Sequence, residues 1–262
     1  MNIPRLSGNL MSDEKQVEWY EDDKMWEIME PVLFTEARIA HTSNEVDAIK
    51  SLCKIQPDDA ILDLCCGVGR HSLEFARRGH KVVGVDRTKL YLERAKKAAK
   101  DEKLNIEFVL DDMRTFYRKK SFDVVLSMFT SFSYFDDHEE QMLVLRNIYA
   151  SLRAGGRFIL ESMGKEILAR IFNRHSWSEW PHGFMLEERE AIDNWSKMHN
   201  KWIFIQKDGA VRRWDVVHWI YSGAEIKDML ESVGFSDVKV FGGSDGRAYD
   251  NEALRLVVIA TK

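Results

Sequence analysis

The feature that most constrains the fold is a short apolar segment that runs into a glycine turn and then into a helical pattern. The segment at 61–69 reads ILDLCCGVG, and helical periodicity follows at 70–78. Gly67 and Gly69 allow a tight turn and a close approach of the backbone to a ligand, and the start of the helix offers free N–H groups. The segment therefore predicts the first strand–helix unit of a parallel sheet, with a ligand at its turn.

The same alternation continues along the chain. It predicts strands at 60–65, 81–85, 106–110, 122–127 and 157–161, and helices at 70–78, 89–100 and 139–152. Alternation of this kind indicates a parallel sheet with helices on both faces, and nearly continuous apolar strands agree because such a sheet is buried on both sides. A helix at 224–233 and strands at 238–241 and 254–260 complete a Rossmann-like, doubly wound, mostly parallel α/β sheet of seven strands.

A different pattern interrupts this rhythm. Residues 186–192, 195–206 and 211–221 predict three long strands separated by turn signals, which indicates an antiparallel insertion. In the last of them Trp214 and His218 share one face, because side chains alternate along a strand, and one of the two faces should meet a pocket. At the other end of the chain, 1–15 predicts a polar tail and 17–54 predicts helix.

Charge and cysteine content limit the classes of protein. Formal charge is 38 − 43 = −5, which argues against a nucleic-acid partner. The three cysteines, of which Cys65 and Cys66 are adjacent, make a poor disulfide framework and favour a reducing cytoplasm. Zinc spacing, a membrane-spanning apolar run and a signal-peptide core are all lacking, so we expect no metal, no membrane contact and a cytoplasmic location.

Two carboxylates narrow the choice of ligand. Asp86 ends the second strand, 86 − 63 = 23 residues after Asp63, and an acid there can accept hydrogen bonds from both hydroxyls of a ribose. The third glycine of a dinucleotide motif is missing, and a carboxylate at Asp63 suits an ammonium group better than a pyrophosphate. These features favour S-adenosylmethionine. The alternatives are that Asp86 caps the next helix and that the glycines form an ordinary tight loop.

A second acidic pair follows the third predicted strand. There Asp112 can accept a hydrogen bond from the exocyclic amine of adenine, and the neighbouring Met113 can cover the ring. The alternative is a solvated pair of acids, Asp111 and Asp112, at the start of a helix.

Together these motifs resemble the class I S-adenosylmethionine-dependent methyltransferases, from about residue 55 to the end. The resemblance includes the segments 122–127 and 152–158, while 69–72, 131–135 and 242–255 are similar to a subgroup that acts on small molecules, such as sugar N,N-dimethyltransferases. It implies an enzyme that methylates a small-molecule acceptor at nitrogen or oxygen by in-line displacement. It also implies a cofactor domain at 55–165 and 222–262, a substrate lid at 166–221 that covers the active site, and a helical cap or tail at 1–54.

The resemblance also implies roles for individual residues. Asp63 would lie near the methionine part of the cofactor, and Asp86 would hold the ribose. The remaining cofactor residues would be Cys65, Gly67 and Gly69 in the loop, Arg87, Asp112 and Met113 around the adenine, and Ser127, Met128 and Phe129 beneath the sulfonium. The family usually has glycine where this chain has Cys65.

Candidate substrate residues follow the fourth strand, because ligands bind at the carboxyl ends of strands in such sheets. The candidates are Phe132, Tyr134 and Phe135, together with Arg247 and Arg255 for an anionic substrate. Tyr134 is the candidate catalytic residue, as an orienting group or a weak base, although methyl transfer needs a base only when the nucleophile arrives protonated. The alternatives are an aromatic run packed under the insertion and arginines held in ion pairs.

Several assignments stay open. His218 is either a base or a structural histidine, and Trp19, Tyr20 and Trp26 form either a lid over the cofactor or a helix packed on the core. A nucleic-acid methyltransferase is one rival function, although 127–130 reads SMFT where the DNA amino-methyltransferases carry Asn/Asp-Pro-Pro-aromatic. A non-catalytic protein that binds S-adenosylmethionine and a nicotinamide-dependent oxidoreductase are the others. A homodimer is compatible with exposed aromatics on the insertion.

Overall fold

The computed structural model describes residues 18–262, and the predicted polar tail at 1–15 lies outside them. The helices are α1 (Asp23–Leu33), α2 (Glu36–Cys53), α3 (Arg70–Arg77), α4 (Lys89–Asp101), α5 (His138–Ser151), α6 (Lys165–Ile171) and α7 (Gly223–Val233). The strands are β1 (Ala60–Leu64), β2 (Lys81–Asp86), β3 (Ile106–Leu110), β4 (Phe122–Ser127), β5 (Leu152–Ser162), β6 (His175–Trp180), β7 (Gly183–Ile192), β8 (Lys197–Gln206), β9 (Val211–Trp219), β10 (Ser236–Phe241) and β11 (Leu256–Thr261). A short 3-10 helix, Trp19–Glu21, precedes α1.

Seven strands form the central sheet in the order β10-β11-β5-β4-β1-β2-β3. Neighbouring strands from β5 to β3 run parallel, whereas β11 is antiparallel to β5 and β10 is antiparallel to β11. The predicted α/β class, with its mostly parallel sheet of seven strands, is confirmed. From β1 the chain moves outward to β2 and β3 and then returns to β4 beside β1, so a crevice opens at the carboxyl ends of β1 and β4.

Helices cover both faces of this sheet. On one face Ile49 of α2 and Phe75 of α3 pack with Val124 of β4 in a fully buried cluster. On the other face Leu145 of α5 and Leu230 of α7 belong to a second cluster that includes the β1 leucines. Burying each such side chain stabilises the fold by about 1.5–3 kcal/mol, which is what holds the loops at the strand ends in place.

The insertion is a separate antiparallel sheet in the order β6-β7-β8-β9. Its inner face packs on α1, where Met25 and Met29 are buried with Met185, Phe204 and Val216 from three of its strands. The inner face is therefore the face of His218, since Val216 and His218 are two residues apart on β9. We call β6–β9 the lid sheet.

Two local predictions need correction. The single helical stretch at 17–54 is two helices, because Thr35 has an extended backbone and its side chain caps α2 by accepting a hydrogen bond from the Arg38 amide. The insertion has four strands instead of three, and α6 precedes it. The missed strand β6 reads HSWSEW, which combines alternating polar residues with a Trp177 side chain that is 71% exposed, so no apolar signal marked it.

Within residues 18–262 no helix is long and apolar enough to cross a membrane. In the same part of the chain, no three His, Cys, Asp or Glu side chains are grouped so that they could hold a metal ion.

Candidate active site

A cavity of about 660 Å3 lies at the carboxyl ends of β1, β2 and β4, beneath the lid sheet and α1. This volume is within the range of small-molecule sites, about 300–1,000 Å3. Its walls come from three parts of the chain: the loops that follow the parallel strands, the segment from the 3-10 helix to α2, and the inner face of β7–β9. Residues that are distant in sequence thus form the walls around the crevice of the sheet.

The turn after β1 takes left-handed backbone conformations at Cys65 (φ 61°), Gly67 (φ 56°) and Gly69 (φ 77°). A Cβ at Gly67 would lie 2.8 Å from Cζ of Phe34, so only glycine lets this ring sit on the turn. Cys65 adopts a left-handed backbone conformation, which favours glycine. A Cβ in this conformation costs roughly 1–2 kcal/mol, and this cost explains why the family usually has glycine at this position. Gly69 caps α3 and does not line the cavity.

Asp86 ties the end of β2 to the glycine turn. Its Oδ2 accepts a hydrogen bond from the amide of Gly67 at 2.8 Å, and its Oδ1 accepts one from the amide of Thr88 at 2.8 Å. The side chain lines the cavity, although the residue is only 8% exposed. A carboxylate has about four acceptor positions, so each oxygen can still accept a hydroxyl. Burial raises the pKa of Asp86, against the lowering effect of the two amides.

Asp63 is a second buried acid in the cavity wall. Its Oδ2 accepts a hydrogen bond from the Ser72 hydroxyl at 2.6 Å, and the residue is 2% exposed. Burial raises the pKa of Asp63, and the charges of His71 and Arg70 offset part of this effect. A cationic group in the cavity would favour the ionised form of Asp63.

Asp112 and Met113 border the cavity after β3. Both oxygens of Asp112 accept hydrogen bonds from the Arg114 guanidinium, at 3.0 and 2.8 Å. Burial would raise the pKa of Asp112, but these hydrogen bonds outweigh it and lower the pKa. The Met113 sulfur is 3.8 Å from the Cys65 sulfur. Arg87, which also lines the cavity, donates to the carbonyl oxygen of Tyr20 at 2.6 Å and so joins β2 to the N-terminal segment.

The loop after β4 is strained. Phe129, Thr130 and Ser133 have positive φ values of 59°, 60° and 93°, although none is glycine. The Phe129 amide donates to Oε2 of Glu161 at 2.6 Å, which helps to hold this conformation. Strained backbone of this kind costs about 1–3 kcal/mol per residue and clusters at functional sites. Met128 and Phe129 line the cavity, whereas Ser127 is buried and does not.

Three arginines converge at one end of the cavity: Arg38 from α2, Arg70 from α3 and Arg255 near β11. Arg38 lies over the Phe129 ring at 4.4 Å and donates to the Leu33 carbonyl oxygen at the end of α1. Burial lowers the pKa of Arg38, and Arg70 acts in the same direction. Of these three arginines only Arg255 was a predicted site residue. Arg70 stands in the 69–72 motif but had no predicted role, and Arg38 has no local signal, since arginines on the exposed and buried faces of helices look alike in sequence.

Acids partner two of these arginines. Arg70 and His71 both pair with Oε2 of Glu45, His71 at 3.0 Å. The two partners outweigh the effect of burial and lower the pKa of Glu45 to about 2. Arg255 pairs with Glu161 and donates to the Thr130 hydroxyl at 3.0 Å.

Aromatic rings form another part of the wall. The ring of Tyr134 lies 4.8 Å from that of Trp19 and 6.3 Å from that of Trp26 between centroids, and all three line the cavity. Burial raises the pKa of Tyr134 well above its ordinary range, so the phenol stays protonated near neutral pH. Phe132 is buried away from the cavity, against Tyr221.

The lid sheet adds a polar group that sequence analysis missed. Arg189 and Glu187 of β7 form an ion pair at 2.6 Å, and Ser176 donates to Glu187 at 2.9 Å. Trp202 of β8 lines the cavity with a buried indole N–H that has no hydrogen-bond partner within 18–262. His218 of β9 lies in the same wall.

The structure thus brings most of the predicted site residues to one cavity. Those that line it are Asp63, Cys65, Gly67, Asp86, Arg87, Asp112, Met113, Met128, Phe129, Tyr134, Phe135 and Arg255. Those that do not are Gly69, Ser127, Phe132 and Arg247. Arg247 is on the surface, where its guanidinium pairs with Asp245 at 2.6 Å. The N-terminal aromatics Trp19, Tyr20 and Trp26 all line the cavity.

The part of the chain that carries the glycine turn and Asp86 is similar to known proteins. Residues 61–156 match a family model described as a methyltransferase domain. A protein of Geobacillus sp. (strain WCH70) that carries the provisional name of a methyltransferase is 24% identical over 216 residues, which cover 77% of this chain and 84% of that protein.

Two solved structures are similar in fold over nearly the whole chain. One is an S-adenosylmethionine-dependent methyltransferase from Clostridium acetobutylicum, with a TM-score of 0.73 and 17% identity, covering 91% of this chain and 98% of that one. The other is the sugar N-methyltransferase KedS8 from Streptoalloteichus sp., with a TM-score of 0.62 and 15% identity, covering 100% of this chain and 99% of that one.

Proposed function

We infer that this chain, which carries a methyltransferase domain at 61–156, is an S-adenosylmethionine-dependent enzyme that uses the cavity to methylate a small-molecule acceptor. The observation that carries this proposal is the lid sheet itself. A cavity of about 660 Å3 with walls from β7–β9 and α1 suits a small acceptor beside the cofactor. The sugar N-methyltransferase with the same overall fold is consistent with this acceptor class.

The residues of the cavity fit the groups of S-adenosylmethionine. Asp86 has free acceptor positions for two ribose hydroxyls, and Asp63 suits the ammonium group. The guanidinium groups of Arg38 and Arg70 suit the carboxylate. Asp112 and Met113 would border the adenine, where Arg114 keeps the carboxylate ionised as an acceptor. When bound, the cofactor supplies a methyl group on a positively charged sulfur.

The chain itself contributes alignment and exclusion of water. Holding both reactants in line can supply about 7–11 kcal/mol of the barrier. The lid wall and the aromatic rings of Trp19 and Tyr134 would keep the acceptor against the strained loop after β4. We assign 55–165 and 222–262 to cofactor binding, 166–221 to the lid, and 1–54 to a cap whose first 17 residues lie outside the described part.

Two further parts of the proposal concern the cell and the assembly. A cytoplasmic location agrees with three cysteines that form no disulfide. A homodimer agrees with the exposed Trp177 and Phe184 on the outer face of the lid sheet.

The test of the proposed function is transfer of a radiolabelled methyl group from S-adenosylmethionine to a panel of amines, hydroxy acids and phenols, with transfer RNA and ribosomal RNA as competitors. Label in a small product, with none in RNA, supports the proposal. Label in RNA alone, abolished by high salt, would favour the nucleic-acid alternative.

A further inference from the structure

The imidazole of His218 has a defined orientation in the cavity wall. Its Nδ1 lies 2.9 Å from the carbonyl oxygen of Trp219. A carbonyl oxygen only accepts hydrogen bonds, so Nδ1 carries the hydrogen, and in the neutral ring Nε2 keeps a lone pair. Nε2 makes no hydrogen bond to any residue of 18–262, and the side chain lines the cavity. The ring therefore presents a proton acceptor to the cavity.

The surroundings keep this ring neutral. In the lid sheet, His218 is paired in register with the buried Met198 of β8 and follows Val216 on the same face of β9. The charged groups of the lid sheet that line the cavity are the ion pair of Glu187 and Arg189 on β7. The two members of that pair offset each other's charge at 2.6 Å. Burial lowers the pKa of His218, and the hydrogen bond to Trp219 opposes this only in part. The other ionisable groups of the cavity belong to the strand-end loops and to α2 and α3. The acids are Asp63, Asp86, Asp111 and Asp112, and the arginines are Arg38, Arg70, Arg87 and Arg255, of which Arg70 pairs with Glu45 and Arg255 with Glu161. His71 also pairs with Glu45.

The remaining wall favours a cation. The aromatic residues Trp19, Trp26 and Tyr134 line the cavity, and the Glu187 carboxylate at the lid is paired with Arg189. Aromatic faces attract ammonium groups, and the attraction increases when the site excludes water. An aliphatic ammonium has an ordinary pKa of about 10.4, whereas that of water is about 15.7 and simple hydroxyls behave similarly. A neutral imidazole can take the proton of an ammonium ion, which is more acidic than an aliphatic hydroxyl by about five pKa units.

We propose that the methyl acceptor is an aliphatic amine that enters the cavity as its ammonium ion, and that Nε2 of His218 removes its proton. The N–H bond of the ammonium breaks, its electron pair stays on the nitrogen, and the proton forms the Nε2–H bond of His218. The freed pair on nitrogen then takes the methyl group, while the pair of the broken carbon–sulfur bond returns to sulfur. This inference rests on the proposed function, which supplies the methyl donor.

Tyr134 has a different role in this proposal. Its phenol stays protonated because burial raises its pKa, so it can hold the acceptor through its hydroxyl but cannot accept the ammonium proton. The assignment of the base to His218 therefore differs from the sequence-based candidate.

The experiment compares His218→Asn and His218→Gln with wild type. The Asn amide can keep the hydrogen bond to the Trp219 carbonyl oxygen and lacks a basic nitrogen, and Gln provides a second variant if one folds poorly. His199→Gln is the matched control, because His199 is on the adjacent strand β8 and pairs with Asp215 outside the cavity at 2.7 Å. Calorimetry with S-adenosylmethionine comes first, and binding by all variants within about threefold of wild type shows that the cofactor site is intact.

Turnover is then measured with D-glucosamine, tyramine and related primary amines, each paired with its hydroxyl analogue, between pH 6 and 10. We expect transfer to an amine only. We also expect the His218 variants to lose about 10²–10³ in kcat at pH 7, with a deficit that shrinks toward pH 10 as the amine loses its proton in solution. The control variant should follow the wild-type pH profile.

A second readout is independent of turnover. Long-range ¹H–¹⁵N NMR on the histidine-labelled protein should show the Nδ1–H tautomer of His218 at pH 7 and a titration midpoint below the ordinary value. Three results would overturn the proposal: an Nε2–H or charged ring at pH 7, variants that keep the wild-type rate and pH profile, or a cofactor-binding protein that methylates hydroxyl analogues or none of the amines. Failure to bind S-adenosylmethionine would instead overturn the proposed function.

Discussion

The indole N–H of Trp19 donates a hydrogen bond to the carbonyl oxygen of Val217 at 2.9 Å, and so joins the N-terminal segment to the last strand of the lid sheet. The Trp19 ring also lies 4.8 Å from that of Tyr134 in the loop after β4. One side chain thus connects the three parts of the chain that enclose the cavity. Closure of the site depends on contacts between residues about 200 positions apart.

Trp19→Phe should loosen the lid while it keeps the aromatic ring. The lost hydrogen bond contributes about 1 kcal/mol, so we expect the dissociation constant for S-adenosylmethionine to rise roughly 3- to 10-fold. Hydrogen exchange of the β9 amides should become faster by a similar factor. Trp177→Phe is the control, since Trp177 is exposed on the same sheet, and it should change neither quantity. Equal effects of both variants would contradict this role of Trp19.

Gly67→Ala should weaken cofactor binding at least tenfold. The new Cβ would lie 2.8 Å from Phe34, and φ at this position is +56°, so the ring and the turn must both shift. Gly79→Ala separates the two causes, because Gly79 also has a positive φ, +86°, but has open space around it. Both variants should lose roughly 1–2 kcal/mol of stability in urea denaturation, and only Gly67→Ala should lose affinity. Unchanged binding by Gly67→Ala would mean that the turn does not contact the cofactor.

Glu45→Gln tests the acid that holds Arg70 and His71. The pKa of Glu45 falls to about 2 in the folded protein from an ordinary value of 4.5, so its stabilisation is complete above pH 4.5 and is lost as the pH falls through 2. We expect the variant to lose on the order of 1–2 kcal/mol at pH 7, a figure reduced for solvent screening, and the difference from wild type to shrink between pH 4.5 and 2. Urea denaturation across this range measures it, with the exposed Glu27→Gln as control. A difference that does not vary with pH would show that Glu45 is not held as an anion.

The three cysteines should resist alkylation in the native protein. Burial raises the pKa of Cys53 to about 12, and it raises the pKa values of Cys65 and Cys66 well above 9. The thiolate is the reactive form, so iodoacetamide at pH 8 should label the native chain at least 100-fold more slowly than the chain in urea. Mass spectrometry counts the labels. Rapid labelling of native Cys65, which is partly buried and lines the cavity, would contradict the raised pKa of its thiol.

Local signals predicted the central sheet and the strand-end loops that line one part of the cavity. Each of these features has a signal within a few residues of sequence: the apolar run of β1, the glycines at 67 and 69, and Asp86 at the end of β2. The seven-stranded sheet was predicted from these signals and from the alternation of strands and helices that follows them. The strand β6 was missed because its outward Trp177 and polar neighbours resemble a loop.

The part of the cavity wall that α2 and the lid sheet supply depends on contacts that no local pattern contains. Arg38 reaches the cavity because α2 packs against α3, and Glu187 reaches it because the lid sheet folds back over α1. For the same reason, the sequence did not determine which face of β9 meets the cavity, because the His218 face and the Trp219 face both carry aromatic residues. Positive φ values at Phe129 and Thr130 likewise have no sequence signal, because neither residue is glycine.

The most direct test of the central claim is calorimetric titration of the wild type and of Asp86→Ala with S-adenosylmethionine, with Asp101→Ala as a control at an exposed ion pair of α4. We predict micromolar binding with one site per chain for the wild type and the control, and a loss of at least 100-fold for Asp86→Ala. No binding by a folded wild type, or equal binding by Asp86→Ala, would contradict the account of this cavity as a cofactor site anchored at the end of β2.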